Sequence, residues 1–175
     1  KMPAYNVTVK ANWTVKQYTI TFDTDGGSEI APETYDFGES ITAPAAPTKT
    51  GYDFAGWAPA LPGTMPAENL EVKALWEIKK FTVTFKFFDN DGTEIAVTRE
   101  NVEYETAFSE LTLPTAAEGF VGTYYNGAVT DYKVNTHHYV FNNEWANKVE
   151  KITADVTFTA QYDAVEHEYN RDIEA

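Results

Sequence analysis

From Leu70 to Ile78 the chain alternates with a period of two. Leu70, Val72, Ala74, Trp76 and Ile78 form one set, and Glu71, Lys73, Leu75 and Glu77 form the other. Beyond Lys79–Lys80 the alternation resumes with Phe81, Val83, Phe85 and Phe87 against Thr82, Thr84 and Lys86. Both halves read as half-buried strands. The apolar set moves from even to odd positions between them, and a one-residue phase change turns side chains to the opposite face. One continuous strand cannot bury both sets on one side. A bulge within one domain would also produce the slip. The same slip recurs at Val15–Tyr18, which favours a module boundary, with Lys16–Gln17 and Lys79–Lys80 as short connectors.

The stretch Met65–Gly92 repeats Met2–Gly26: Met2/Met65, Trp13/Trp76, Tyr18/Phe81 and Phe22/Phe85 each lie 63 positions apart. A fainter copy of its first half is Ile152–Tyr162, where Tyr162 follows Trp76 by 86 positions. The expected organisation is a terminal strand of a preceding module over residues 1–16, with Val7, Val9, Ala11 and Trp13 in phase. A module over 17–79 follows, then a variant module over 80–163, and an acidic tail over 164–175. The larger offset places about 23 extra residues near 121–138. That segment contains Asn126-Gly127, a strong hairpin signal, so it is expected to add a hairpin. The chain opens in mid-module, so targeting sequence is expected upstream.

Within the first full module, Tyr18-Ile20-Phe22 reads as a strand that breaks at Asp23-Thr24-Asp25-Gly26-Gly27. Asp and Gly supply the side-chain bonding and positive φ of tight turns. A second strand lies within Ile30–Ile41, interrupted at Pro32 and Gly38. The Pro-rich run Ala43–Thr48 is a connection, Tyr52–Trp57 is an aromatic strand, and Leu70–Trp76 closes the module. In the variant module, Tyr139–Phe141 and Trp145 correspond to Tyr52–Phe54 and Trp57, but Glu144 stands where Gly56 precedes the tryptophan. Tyr104, Ala107, Phe108 and Leu111 are spaced three and four apart within Glu103–Leu113 and suggest a short helix.

YTITFDTDGG (Tyr18–Gly27), APTKTGYDFAGW (Ala46–Trp57) and NLEVKALW (Asn69–Trp76) resemble, in order, the Listeria–Bacteroides repeat family, also called internalin-type B repeats. The resemblance implies tandem small β-grasp-like modules, each a mixed four-stranded sheet with at most one short helix. The fold class is therefore mainly β, with α+β as the alternative. It also implies a bacterial multi-repeat protein, extracellular and either secreted or cell-wall attached.

Composition narrows the functions. Aromatics at 15% and hydrophobic residues at 43% are ample for packed cores. A net charge of −14 opposes nucleic acid and anionic membranes, which need clustered Lys and Arg. No apolar run reaches the roughly 20 residues of a membrane span. The absence of cysteine excludes disulfides and thiolate chemistry, and is unremarkable for a Gram-positive surface.

Asp23-x-Asp25-Gly26 and Asp89-x-Asp91-Gly92 resemble the opening of a calcium loop. The twelfth position is Thr34 from Asp23 and Glu100 from Asp89, and both motifs sit where a turn is needed. The turn is the preferred reading. His137 and His138 are adjacent and point to opposite faces of a strand; with His167 in the tail, no metal site is expected. No hydrolase, metalloprotease or phosphate-loop motif is present, so no cofactor and no catalysis are expected. Trp57, Trp76 and Trp145 could stack on sugars or peptides; Trp76 belongs to the alternating apolar face and reads as core. Tyr124, Tyr125 and Tyr132, in the insertion, are the ligand-binding candidates; Tyr124 and Tyr125 either stand exposed as an interface anchor or pack the inserted hairpin onto its own module.

The expected function is a non-enzymatic spacer or stalk with adhesion at the variant module. Its partners would be neighbouring repeats and a host or cell-surface glycan or protein. The alternative is a carbohydrate- or mucin-binding module acting through the insertion, and a third reading is an accessory region of a surface glycosidase.

Overall fold

The computed structural model describes residues 8–125 and 138–165. The chain divides into two compact units, Lys1–Glu77 and Ile78–Ala175. In the first, β1 (Gln17–Asp23), β2 (Glu33–Asp36), β3 (Tyr52–Ala58) and β4 (Leu70–Ile78) form a sheet of order β2-β1-β4-β3. In the second, β5 (Lys80–Phe88), β6 (Glu94–Glu103), β7 (Thr123–Tyr125), β8 (His138–Ala146) and β9 (Val156–Val165) form a sheet of order β6-β5-β9-β8-β7. The protein is mainly β, and both sheets are mixed. Each has one parallel pair, β1 with β4 and β5 with β9, beside antiparallel neighbours.

The alternation read from the sequence is realised as buried and exposed faces. In β4, Val72 and Ala74 are buried while Glu71, Lys73 and Leu75 are exposed; in β5, Val83, Phe85 and Phe87 are buried. The first core gathers Ile20, Phe22, Met65 and Val72. The second is larger, built on Phe85, Phe87, Phe158, Ile152, Val83 and Trp145. Burying each such side chain contributes roughly 1.5–3 kcal/mol.

The parallel pairs are in equivalent register. Ile20 faces Leu70 and Phe22 faces Val72 in the first unit. Val83 faces Val156 and Phe85 faces Phe158 in the second. From the first unit to the second, Ile20 and Phe22 map to Val83 and Phe85 at 63 positions, and Leu70 and Val72 map to Val156 and Phe158 at 86, the same offsets as in the sequence repeat. The equivalence extends beyond the ladders. The Thr19 N–H donates to Asn69 Oδ1 at 2.9 Å, and the Thr82 N–H donates to Asp155 Oδ1 at 2.8 Å. Phe37 donates to the Lys16 carbonyl, and Tyr104 to that of Lys79. Met65, 1% exposed, exchanges backbone bonds with Gly38 and Glu39; Ile152, 0% exposed, does the same with Glu105 and Thr106. Phe22 packs on Trp57 at 5.2 Å, and Phe85 packs on Trp145 at 5.1 Å.

Two local expectations are corrected. Glu103–Leu113 forms no α-helix: β6 runs to Glu103, and only a 3-10 turn follows at Phe108–Glu110. The three- and four-residue spacing there reflects a loop that sends Phe108 and Leu111 toward the core while Ala107 bridges to Lys151. A second 3-10 turn covers Ala116–Glu118. The second sheet has five strands, because β7 adds to the edge of β8. Tyr125 pairs with His138, so the chain joining these strands spans residues 126–137, and the expected Asn126-Gly127 turn lies outside the described residues. Glu144 does not take over the geometry of Gly56 (φ +131°). The left-handed residue shifts back to Asn143 (φ +68°), within the β8 bulge that resets register between Phe141 and Trp145. Asparagine tolerates positive φ better than glutamate.

Candidate functional site

The aspartate motifs are built as turns. Asp23 Oδ1 accepts the Asp25 N–H at 2.9 Å; Asp89 Oδ1 accepts the N–H groups of Asp91 (3.0 Å) and Thr93 (2.9 Å). Gly26 and Gly92 follow with φ of +84° and +75°. The Asp25 carboxylate is held between Lys73 (2.6 Å) and Lys49 (3.5 Å). The Lys73 hydrogen bond and charge, with a smaller contribution from Lys49, pull the Asp25 carboxyl below its usual range, and Asp25 in turn raises Lys73. The ammonium groups already neutralise the carboxylate that a calcium ion would need. No three His, Asp or Glu side chains gather to hold a metal among the described residues.

Trp76, read as core from its phase in the strand, belongs to neither buried cluster. It is half-buried over the turn after β1, with Nε1 donating to the Thr24 carbonyl at 3.1 Å. Its indole meets Phe54 edge-on at 5.6 Å, and the Lys49 ammonium lies 5.5 Å from the ring centre. Trp57 packs between Phe22 and Phe54. Trp145 is buried.

Of the two roles open to Tyr124, the packing one is found: it is 9% exposed, stacked on Tyr139 at 4.9 Å and packed against Phe88 (4.8 Å) and Tyr162 (4.9 Å). Burial raises the hydroxyl pKa of both Tyr124 and Tyr162 above the ordinary value. Tyr124 therefore serves to attach β7 to the sheet, where it is unavailable to a ligand. Tyr125 is placed at the end of β7, paired with His138. Tyr132, His137 and His167 lie outside the described residues.

The sequence reading missed a shallow open concavity on the first unit, lined by Glu33, Thr34, Tyr35, Thr42, Ala43 and Pro44. Tyr35 donates its hydroxyl to Glu33, which raises the phenol pKa. The periodic pattern did not mark it, because it depends on how the Pro-rich connection lies against the short strand just before it, with the Tyr35 hydroxyl donating to the Thr42 carbonyl.

Residues 18–70 match the Listeria-Bacteroides repeat domain. This segment contains β1 to β3, the Asp-Gly turn and the buried Met65. It is a Listeria-Bacteroides repeat. The chain is 35% identical over 139 residues to Internalin H of Listeria monocytogenes, an alignment covering 71% of this chain and 24% of that protein. It is 28% identical over 167 residues to a putative membrane protein of Evansella cellulosilytica, covering 90% of this chain and 23% of that protein. The chain thus spans about a quarter of the length of these relatives. Streptococcal High Identity Repeats in Tandem domains 3-4 from a cell surface protein align at 16% identity over 86% of this chain and 99% of that one, with a TM-score of 0.27. No helix among the described residues is long and apolar enough to cross a membrane.

Proposed function

We propose that this chain is a non-enzymatic run of repeats in a secreted or wall-attached bacterial protein, where it spaces and presents other domains. One observation carries the reading: the buried residues and hydrogen bonds of the Listeria-Bacteroides repeat recur in the second unit. Met65 becomes Ile152, the Asn69–Thr19 bond becomes Asp155–Thr82, and the register is kept. What recurs is the solution to a folding problem, not a cluster of reactive groups. On this reading both units are β-grasp-like modules, 17–79 and 80–163, the second diverged and enlarged. On the same reading residues 1–16 supply the terminal strand of a preceding repeat; their described part, Thr8–Lys16, has the alternation of β4 but is not paired into a sheet, with Val9 at 87% and Trp13 at 90% exposure.

The test is reach. In the full-length surface protein, deleting one module should bring the distal domains closer to the cell surface without changing their activity. Unchanged distance, or loss of an activity that no distal domain supplies, would contradict the spacer reading.

A second reading, recognition of a host or cell-surface glycan or protein by the insertion, has one observation in its favour: the segment around 121–138 has no counterpart in the first unit. Tyr124 is committed to packing, so recognition would fall to Tyr125, Tyr132 and their neighbours. Replacing residues 126–137 with a short glycine-containing loop, then screening a glycan and mucin panel, tests it. Binding lost with the fold intact supports recognition, and binding unchanged excludes it.

A further inference from the structure

In each unit the strand that enters and the strand that leaves lie side by side and run parallel: β1 with β4, and β5 with β9. Tension along the chain pulls the entering strand at its N-terminal end and the leaving strand at its C-terminal end. For parallel neighbours these pulls are opposed along the strand axis, so the pair is sheared. The inter-strand hydrogen bonds run across that axis, evenly spaced along the ladder. All four register pairs of each unit therefore carry load together, instead of opening one after another.

Both pairs are also stapled by side chains at their two ends. At the entry end the staples are Asn69 to the Thr19 N–H and Asp155 to the Thr82 N–H. At the far end of β1, Lys73 of β4 grips Asp25 at 2.6 Å and Trp76 donates to the Thr24 carbonyl. At the far end of β5, the Phe88 N–H donates to the Tyr162 hydroxyl of β9 at 3.2 Å. The far-end staples use different chemistry in the two units yet tie the same two strands.

We infer that each unit is a mechanical clamp, and that this run of repeats bears tension transmitted along the chain. The inference deepens the spacer reading and rests on it for the source of the load. A unit that yields easily could still space domains, and deleting modules tests that separately.

The experiment is single-molecule force spectroscopy on the whole chain. The protein has no cysteine, so introduced pairs define the pulling direction without competing thiols. Pulled from its termini, the chain should give two high-force events. Gln17–Ile78 extends to about 200–220 Å and Lys80–Val165 to about 280–310 Å, at roughly 3.3–3.6 Å per residue, so the two events are distinguishable by length. Pulled through Thr34→Cys and Ala55→Cys, on the two edge strands of the first sheet, that unit is unzipped and should yield at a several-fold lower force. Glu100→Cys with Thr123→Cys applies the same edge geometry to the second unit. Asp155→Ala combined with Tyr162→Phe should weaken the longer event and leave the shorter one unchanged. If that variant does not fold, only the shorter event remains and the two directions of pull on the first unit still decide. End-to-end forces equal to or below the edge-pulled forces would overturn the clamp.

Discussion

Replacing Gly27 by alanine puts a methyl group where the indole of Trp76 already lies. An alanine Cβ would sit 2.6 Å from Cζ2 and 3.1 Å from Cη2 of Trp76, against an ordinary contact of 3.4–4 Å. The backbone at Gly27 is not left-handed, so the conflict is one of space. The indole cannot swing away without cost. It donates to the Thr24 carbonyl, a bond contributing about 0.5–1.5 kcal/mol, and packs edge-on against Phe54, worth a similar amount. Overpacking of this kind costs about 1–3 kcal/mol. Against it, alanine lowers the entropy of the unfolded chain by about 0.4–1 kcal/mol. The net expectation for Gly27→Ala is about 1–2 kcal/mol of destabilisation, read as a shift of roughly 4–8 °C per kcal/mol in the melting of the first unit. Trp76→Ala alone should cost about 2–3 kcal/mol, less than a fully buried tryptophan, because the ring is half-exposed. In the Trp76→Ala background, Gly27→Ala should be neutral or slightly stabilising, a coupling within the range for residues in contact. Equal costs of Gly27→Ala in both backgrounds would refute the reasoning, since the clash with Trp76 would then not be the cause.

Other consequences are as direct. Tyr124→Ala should destabilise the second unit by about 3 kcal/mol in urea titration, because the ring contacts Tyr139, Phe88 and Tyr162; a loss below about 1 kcal/mol would mean β7 is not packed as described. Asp155→Ala should cost the second unit about 0.5–1.5 kcal/mol, and Asn69→Ala the first unit a similar amount; unequal effects would break the equivalence of the two bonds. The pKa values of Tyr124 and Tyr162 are raised by folding. Their contribution is therefore intact below the ordinary tyrosine value of 10.0 and is lost as pH rises through the folded values. Tyrosine absorbance on alkaline titration should show late-ionising groups in the folded wild type and fewer of them in Tyr124→Ala; identical titrations would contradict the burial.

The strands at the repeat joint were legible because β4 and β5 alternate buried and exposed positions, and the 63- and 86-residue offsets relate the register pairs of β1/β4 to those of β5/β9. The Asp-Gly turns were legible because local bonding decides them. Legibility failed where contacts distant in sequence decide the outcome. β7 has three residues, too few to show a period, so the stacking of Tyr124 on Tyr139 left no trace in the pattern. Trp76 shares the phase of Val72 and Ala74, but phase selects the face and not the depth; at the end of the strand that face covers a turn. The spacing of Tyr104, Ala107, Phe108 and Leu111 imitates a helix. There the backbone instead repeats the Gly38–Ile41 bonding of the first unit, with Glu105 taking the left-handed position of Gly38 at φ +65°.

The central claim is that the chain contains two copies of one module, each closed by its own parallel strand pair around its own core. Calorimetry of fragments 1–79 and 80–175 beside the whole chain tests it most directly. Each fragment should melt cooperatively near the temperature of its own transition in the whole chain. A featureless melt from both fragments would contradict the claim, because the recurring bonds would then describe halves of a single cooperative domain.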